Sequence, residues 1–203
     1  MARIVVGSYV VRFPLGGYQS WALQWLVGFK RLGHEVYFVE KSGWANSCYD
    51  PTKDAMTDDC SYGLAALEAL LRRFDLQERW CYVDATGCYR GLSKLQVEAA
   101  FASADVFVDM GTHGSWLPEA RGTGVRLLVD GDPGYTQMRA LAEEEDLGEY
   151  DYYYTVGQNV GTAGCTVPTM GLAWRRIFDP VVSELFPGKS PSVIFVATAV
   201  TVS

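Results

Sequence analysis

Residues 4–6 (Ile-Val-Val) form a short unbroken apolar run near the start of the chain, and a different rhythm follows it. Between residues 17 and 32 the apolar positions Trp21, Leu23, Trp25, Leu26, Phe29 and Leu32 recur at helical spacing, and Gly33 ends the pattern. β-Branched and aromatic residues return over 35–40. The order strand, helix, strand predicts a βαβ unit with parallel strands and a right-handed crossover.

The stretch KSGWANSCYDPTKDAMTDDCSYG (41–63) is polar, rich in turn formers and without periodicity, so it reads as a long loop, functional or disordered. Helical spacing resumes over 62–74. WCYVDA then reads as a strand, LSKLQVEAAFAS as a helix, ADVFVDM as a buried strand, GVRLLVDGDPG as a strand ended by Gly131 and Pro133, YTQMRALAEEE as a helix, and YDYYYTVGQN as a strand. No internal repeat interrupts this alternation. It predicts an α/β fold: a doubly wound, mostly parallel sheet of about six strands with helices on both faces and the first strand central. After Pro168 the rhythm fades. The expected organisation is a Rossmann-like domain over 1–168, a linker with one short helix over 169–190, and a strand-like segment over 191–203.

Composition narrows the function. The chain has 203 residues, 49% of them apolar, a net charge of −7, and no run of Lys or Arg longer than two. A balance this acidic argues against nucleic acid or an anionic membrane as the partner. No apolar run approaches the roughly 20 residues of a membrane span, and the N-terminus lacks the pattern of a secretory signal. The five cysteines show no C-x-x-C spacing, which fits reduced thiols in a cytoplasmic protein and speaks against structural zinc. The longest charge run, EEED at 143–146, reads as a solvated helix end.

Open parallel sheets bind ligands beyond the C-terminal ends of their strands. That rule selects Gly16 and Gly17 after the first strand, Trp44 after the second, Asp109 and His113 after ADVFVDM, Asp130 and Asp132 in VDGDPG, and Asn159 after the tyrosine run. Each has a plainer reading. A glycine pair makes a tight turn, and G-x-G-x-x-G is absent from this one. Asp130 or Asp132 can cap the following helix. His113, flanked by glycines, suits acid–base work better than His34, which sits at a helix-to-strand corner. Trp21 and Trp25 read as core, whereas Trp44 and Trp116 fall in loops, where an exposed ring can stack on a sugar or an aglycone.

The phrases VVRFPLGGYQSWALQWLVGFKRLGHEVYFVE, SCYDPT, LLVDGDPGYTQMR and YYYTVGQNVGTAGCTVPTMGLAW resemble the N-terminal half of a group of bacterial GT-B glycosyltransferase-like proteins, over about residues 3–187. The resemblance implies two Rossmann-like domains facing a cleft, with the acceptor in the N-terminal one and the nucleotide sugar in the C-terminal one. It implies that Gly16 and Gly17 face the donor diphosphate, and that Asp130 or Asp132 stands where the catalytic base lies, with His113 the competing choice. No cofactor or metal is expected. The donor-binding domain has no counterpart in this chain, and the closing VIFVATAVTVS departs from the pattern, so weak or absent transfer is expected of the chain alone. The alternatives are a hydrolase using the same Asp and His residues, and a non-catalytic binding module. Self-association through the exposed cleft or the apolar terminal strand is a further expectation.

Overall fold

The computed structural model describes residues 1–143, 147 and 149–186. The expected terminal strand at 191–203 and residues 144–146 of the acidic run lie outside that range.

The elements run β1 (Arg3–Gly7), α1 (Gly16–Arg31), β2 (Glu35–Lys41), β3 (Cys48–Asp50), β4 (Ala55–Thr57), α2 (Ser61–Arg72), β5 (Trp80–Val83), β6 (Tyr89–Gly91), α3 (Lys94–Ala102), β7 (Val106–Asp109), α4 (Leu117–Ala120), β8 (Val125–Asp130), α5 (Tyr135–Ala142), β9 (Tyr152–Thr155) and β10 (Trp174–Arg176), with a 3₁₀ turn at Ser183–Leu185. Eight strands make one sheet in the order β10-β9-β8-β7-β1-β2-β5-β6. Every neighbouring pair is parallel except β5 with β6 at the edge. The protein is thus a Rossmann-like α/β fold with a doubly wound, mostly parallel sheet and β1 near its centre. No helix among the described residues is long and apolar enough to cross a membrane.

The alternation of β1 shows why both faces need cover. Ile4 and Val6 pack with Ala22, Leu26, Phe38, Leu67 and Leu71 under α1 and α2. Val5 points the other way, among Val39, Phe101, Phe107, Leu128 and Ala140 under α3 and α5. From β1 the chain winds outward through β2 to β5, then returns to place β7 on the other side of β1 and winds out again. The reversal lies between β1 and β7, where open sheets hold their ligands.

Two segments differ from the sequence reading. The polar stretch 41–63 contains a small antiparallel hairpin, with Tyr49 opposite Met56. Its strands are three residues long, too short for an alternating pattern to show. The segment read as a linker contributes β10, parallel to β9. Two of its three residues are arginines, which mask a strand in composition but suit a sheet edge open to water. Trp174 fixes it edge-to-face on Tyr153 at 5.7 Å.

Gly63 is where α2 meets the loop after β1. A Cβ there would be driven into the backbone carbonyl of Val11. Gly63→Ala is therefore expected to destabilise the protein by about 1–3 kcal/mol through overpacking against backbone. Urea unfolding measures it. A midpoint equal to that of the unaltered chain would show that α2 and the loop are not in contact.

Candidate functional site

Three loops at the C-terminal ends of β1, β7 and β8 build one cleft, and each is held by a buried carboxylate. After β1, residues 8–15 fold back across the sheet because Glu40 of β2 accepts the amides of Val10 (2.7 Å), Val11 (2.8 Å) and Arg12 (2.9 Å). Tyr49 of the hairpin adds its amide to the Arg12 carbonyl at 2.8 Å. Burial pushes the Glu40 carboxyl up to about 7, although the three amides and the Arg12 charge pull the other way. The loop ends at Leu15, which caps α1 without any side-chain hydrogen bond. Gly16 and Gly17 are exposed, and nothing lies within 4 Å of where their Cβ atoms would be. The first turn of α1 thus turns uncapped amides toward open space.

After β7, Asp109 is wholly buried and accepts the amides of Thr112 (2.7 Å) and Gly114 (3.1 Å) and the Tyr150 hydroxyl (2.6 Å). This grip lifts His113 to the surface with φ of 53°, between Gly111 and Gly114, which also have positive φ. After β8, Asp130 is buried and accepts the Asp132 amide (3.0 Å), the hydroxyls of Thr136 and Thr155 (both 2.8 Å) and the Gln137 side-chain amide (2.9 Å). Asp132, two residues on, is exposed.

These loops enclose a cavity of about 530 Å³ whose lining includes Gly17, His113, Asp130 and Asp132. Aromatic rings supply its apolar wall. Tyr9 lies against Gly111, where a Cβ would come within 2.9 Å of the ring, and Trp21 lies against Gly131, where the gap would be 2.6 Å. Tyr9 and Tyr18 sit with ring centres 4.9 Å apart. Burial raises the Tyr9 hydroxyl to about 12, so it stays protonated and able to donate at neutral pH. A further carboxylate arrives from far along the chain. Asp179 accepts the indole N–H of Trp21 (2.8 Å) and of Trp25 (3.3 Å), and Val182 donates its amide to Gln24 at 2.5 Å. Among the described residues no group of three or more His, Cys, Asp or Glu is placed to hold a metal ion.

The structure sorts the residues singled out from sequence. Gly17, His113 and Asp132 line the cavity together, whereas Gly16 lines a separate one with Gln19, Ser20 and Leu23. Asp130 lines the cavity, but both of its oxygens already accept hydrogen bonds within its own loops. Asp109 is buried outside the lining and clamps its loop. Trp116 is not an exposed platform. It is fully buried, stacked on Phe101 with ring centres 5.6 Å apart and with the Lys41 ammonium 4.0 Å from its own. The turn that begins α4 carries it into the core. Trp44 is exposed but stands outside the cavity, over Arg12. Asn159 is exposed after β9 and is not part of the lining. Trp21, read as core, is a cavity wall. Tyr9, Tyr18 and Asp179 also line the cavity; the two tyrosines lie to either side of the glycine pair in sequence, and Asp179 carries no local signal.

No protein-family model matches this chain, and no curated protein does. Among solved structures it is similar to an alpha-glucosyltransferase determined in complex with UDP and a 13-mer DNA containing a central A:G mismatch. The identity is 12% and the TM-score 0.44, over 78% of this chain and 38% of that one. It is also similar to the protein Sa239, at 12% identity and a TM-score of 0.39, over 76% of this chain and 61% of that one. The chain spans less than two thirds of the length of either.

Proposed function

We propose that this protein is glycosyltransferase-like and that the cleft between β1, β7 and β8 is the acceptor side of a sugar-transfer site. One observation carries the reading: the uncapped N-terminus of a 16-residue helix and the exposed carboxylate of Asp132 look into the same cavity at the sheet's reversal point. The helix start, with its oriented amides and positive dipole end, suits the diphosphate of a nucleotide sugar. Asp132 suits the acceptor hydroxyl. As the acceptor oxygen bonds to the anomeric carbon, its proton passes to the Asp132 carboxylate. The bond from that carbon to the phosphate oxygen breaks, and its electron pair leaves with the nucleoside diphosphate, held at the start of α1 by the amides around Gly17. His113, on the same rim, is the competing base. Asp130 keeps Asp132 in place by accepting its amide.

In this reading the base and ribose of the donor are gripped by a second domain across the cleft. The chain by itself then binds nucleotide sugars only weakly, and calorimetry finding a micromolar or tighter complex would contradict that division of labour. Incubation with a panel of nucleotide sugars, glycosides and esters, followed by mass spectrometry, tests the activity. Sugar added to an acceptor supports transfer. Release of free sugar or cleavage of an ester without any acceptor product would assign the cleft to hydrolysis instead.

A further inference from the structure

Arg12 is a buried cation, in the loop after β1, whose placement the fold alone does not explain. It is 8% exposed, and its guanidinium carbon lies 4.4 Å from the Trp44 ring centre, 5.6 Å from Phe13 and 5.9 Å from Tyr9. Its Nε is sealed from solvent without a hydrogen-bond partner, and among the described residues no carboxylate comes within ion-pair distance of it. Glu40 is near enough to feel the charge, but its oxygens already serve the amides of Val10, Val11 and Arg12. Three aromatic faces offset part of the cost of desolvating a cation. They cannot satisfy the planar fork of donors that makes arginine suited to oxyanions.

We propose that Arg12 is the anchor of an oxyanion-binding subsite, so that the acceptor taken by this cleft carries a phosphate or a carboxylate. The proposal rests on the glycosyl-transfer reading above and adds the chemical class of its acceptor. Tyr9 is the link between the two places: one side of its ring meets Arg12, and the residue also lines the cavity that holds Asp132. Arg12 itself does not line that cavity, so the acceptor must span from the guanidinium past Tyr9 to bring its hydroxyl to the base. Trp44, 57% exposed, is the outer face on which the body of the acceptor rests.

Titration of phenyl phosphate, benzoate and the neutral benzamide into the purified chain, read by calorimetry, tests the subsite. One or both anions are expected to bind about tenfold or more tightly than benzamide, the scale of a charge-assisted hydrogen bond. Whichever anion binds better identifies the group. Arg12→Gln is expected to erase that preference, and Arg12→Lys to keep only part of it, because a point charge cannot engage two oxygens in the plane of the fork. No preference for anions in the unaltered chain, or a preference that survives in Arg12→Gln, overturns the proposal. Should Arg12→Gln fail to fold by circular dichroism, the surface variant Trp44→Leu replaces it. It is expected to weaken anion binding about threefold or more, and an unchanged affinity refutes the subsite. Sugar transfer without anion preference would sink this inference alone. Anion preference in a chain that releases free sugar or cleaves an ester without any acceptor product would sink the transferase reading instead.

Discussion

Asp132→Asn is expected to lower the rate of sugar transfer, followed as nucleoside diphosphate release in the presence of acceptor, by about 10²–10⁴-fold. The asparagine keeps the size and polarity of the side chain but accepts no proton. Nothing structural should be lost with it. Asp132 is exposed, and the bonds that shape its loop come from its backbone: the amide to Asp130 and the carbonyl to Thr136. The thermal midpoint should stay within a degree or two, since surface changes are usually worth no more than about 0.5 kcal/mol. His113→Asn, which tolerates the positive φ at that position, is the companion variant. If it removes the activity and Asp132→Asn does not, the two residues exchange roles. If neither matters, the cleft does not perform the chemistry.

Glu40→Ala is expected to cost about 3–5 kcal/mol, a large share of the total stability of a domain. It strands three amides in a loop whose Val10 and Val11 are wholly buried, and each unsatisfied amide costs about 1–3 kcal/mol. Glu40→Gln isolates the charge. Burial lifts the folded-state pKa of Glu40 from its ordinary 4.5 to about 7. The native state therefore holds this proton more tightly than the unfolded chain does. Its contribution to stability is fully present below about pH 4.5, declines as pH rises toward 7, and is flat above. Across that window the decline amounts to about 2–4 kcal/mol. Urea unfolding of the unaltered chain and of Glu40→Gln from pH 4.5 to 8 separates this from every other titration. A stability difference between the two that stays constant across the range would show that Glu40 does not titrate there.

The sheet was legible because its strands are buried on both faces. Val5 and Val6 point to opposite sides yet both lie among apolar neighbours, so the strand reads as an unbroken run rather than an alternation. The edges were harder. The arginines of β10 and the short Tyr-Arg-Gly of β6 meet water, and nothing forces an apolar pattern on them. At the site, sequence pointed to strand-end loops, which in such a fold must converge, and the structure brings three of them round one cavity. Sequence did not separate the aspartates whose oxygens are taken up in holding the loops from Asp132, whose carboxylate is exposed. Asp109, Asp130 and Asp132 look alike as letters, and their difference is the number of donors that the folded chain brings to each. Trp116 misled for the same reason, because a tryptophan in a loop is exposed only if the next turn does not carry it inward. Asp179 was out of reach altogether, its role being set by two indoles more than 150 residues away.

That distance has a kinetic consequence. The bonds from Trp21 and Trp25 to Asp179, and from Val182 to Gln24, close the longest hydrogen-bonded circuits among the described residues, spanning 158 residues at their widest. Such circuits carry the largest entropic cost of closure and are rewarded only once the sheet between their ends is in place. The β1–β2–β5 side can assemble while both indoles still offer their N–H groups to water, and the cavity gains its last wall when the strand-bearing segment around 174–186 docks across α1. Tryptophan emission should accordingly report a step later than the far-ultraviolet signal of the helices. A newly made chain would be folded before it is competent, with the interval set by one carboxylate finding two rings.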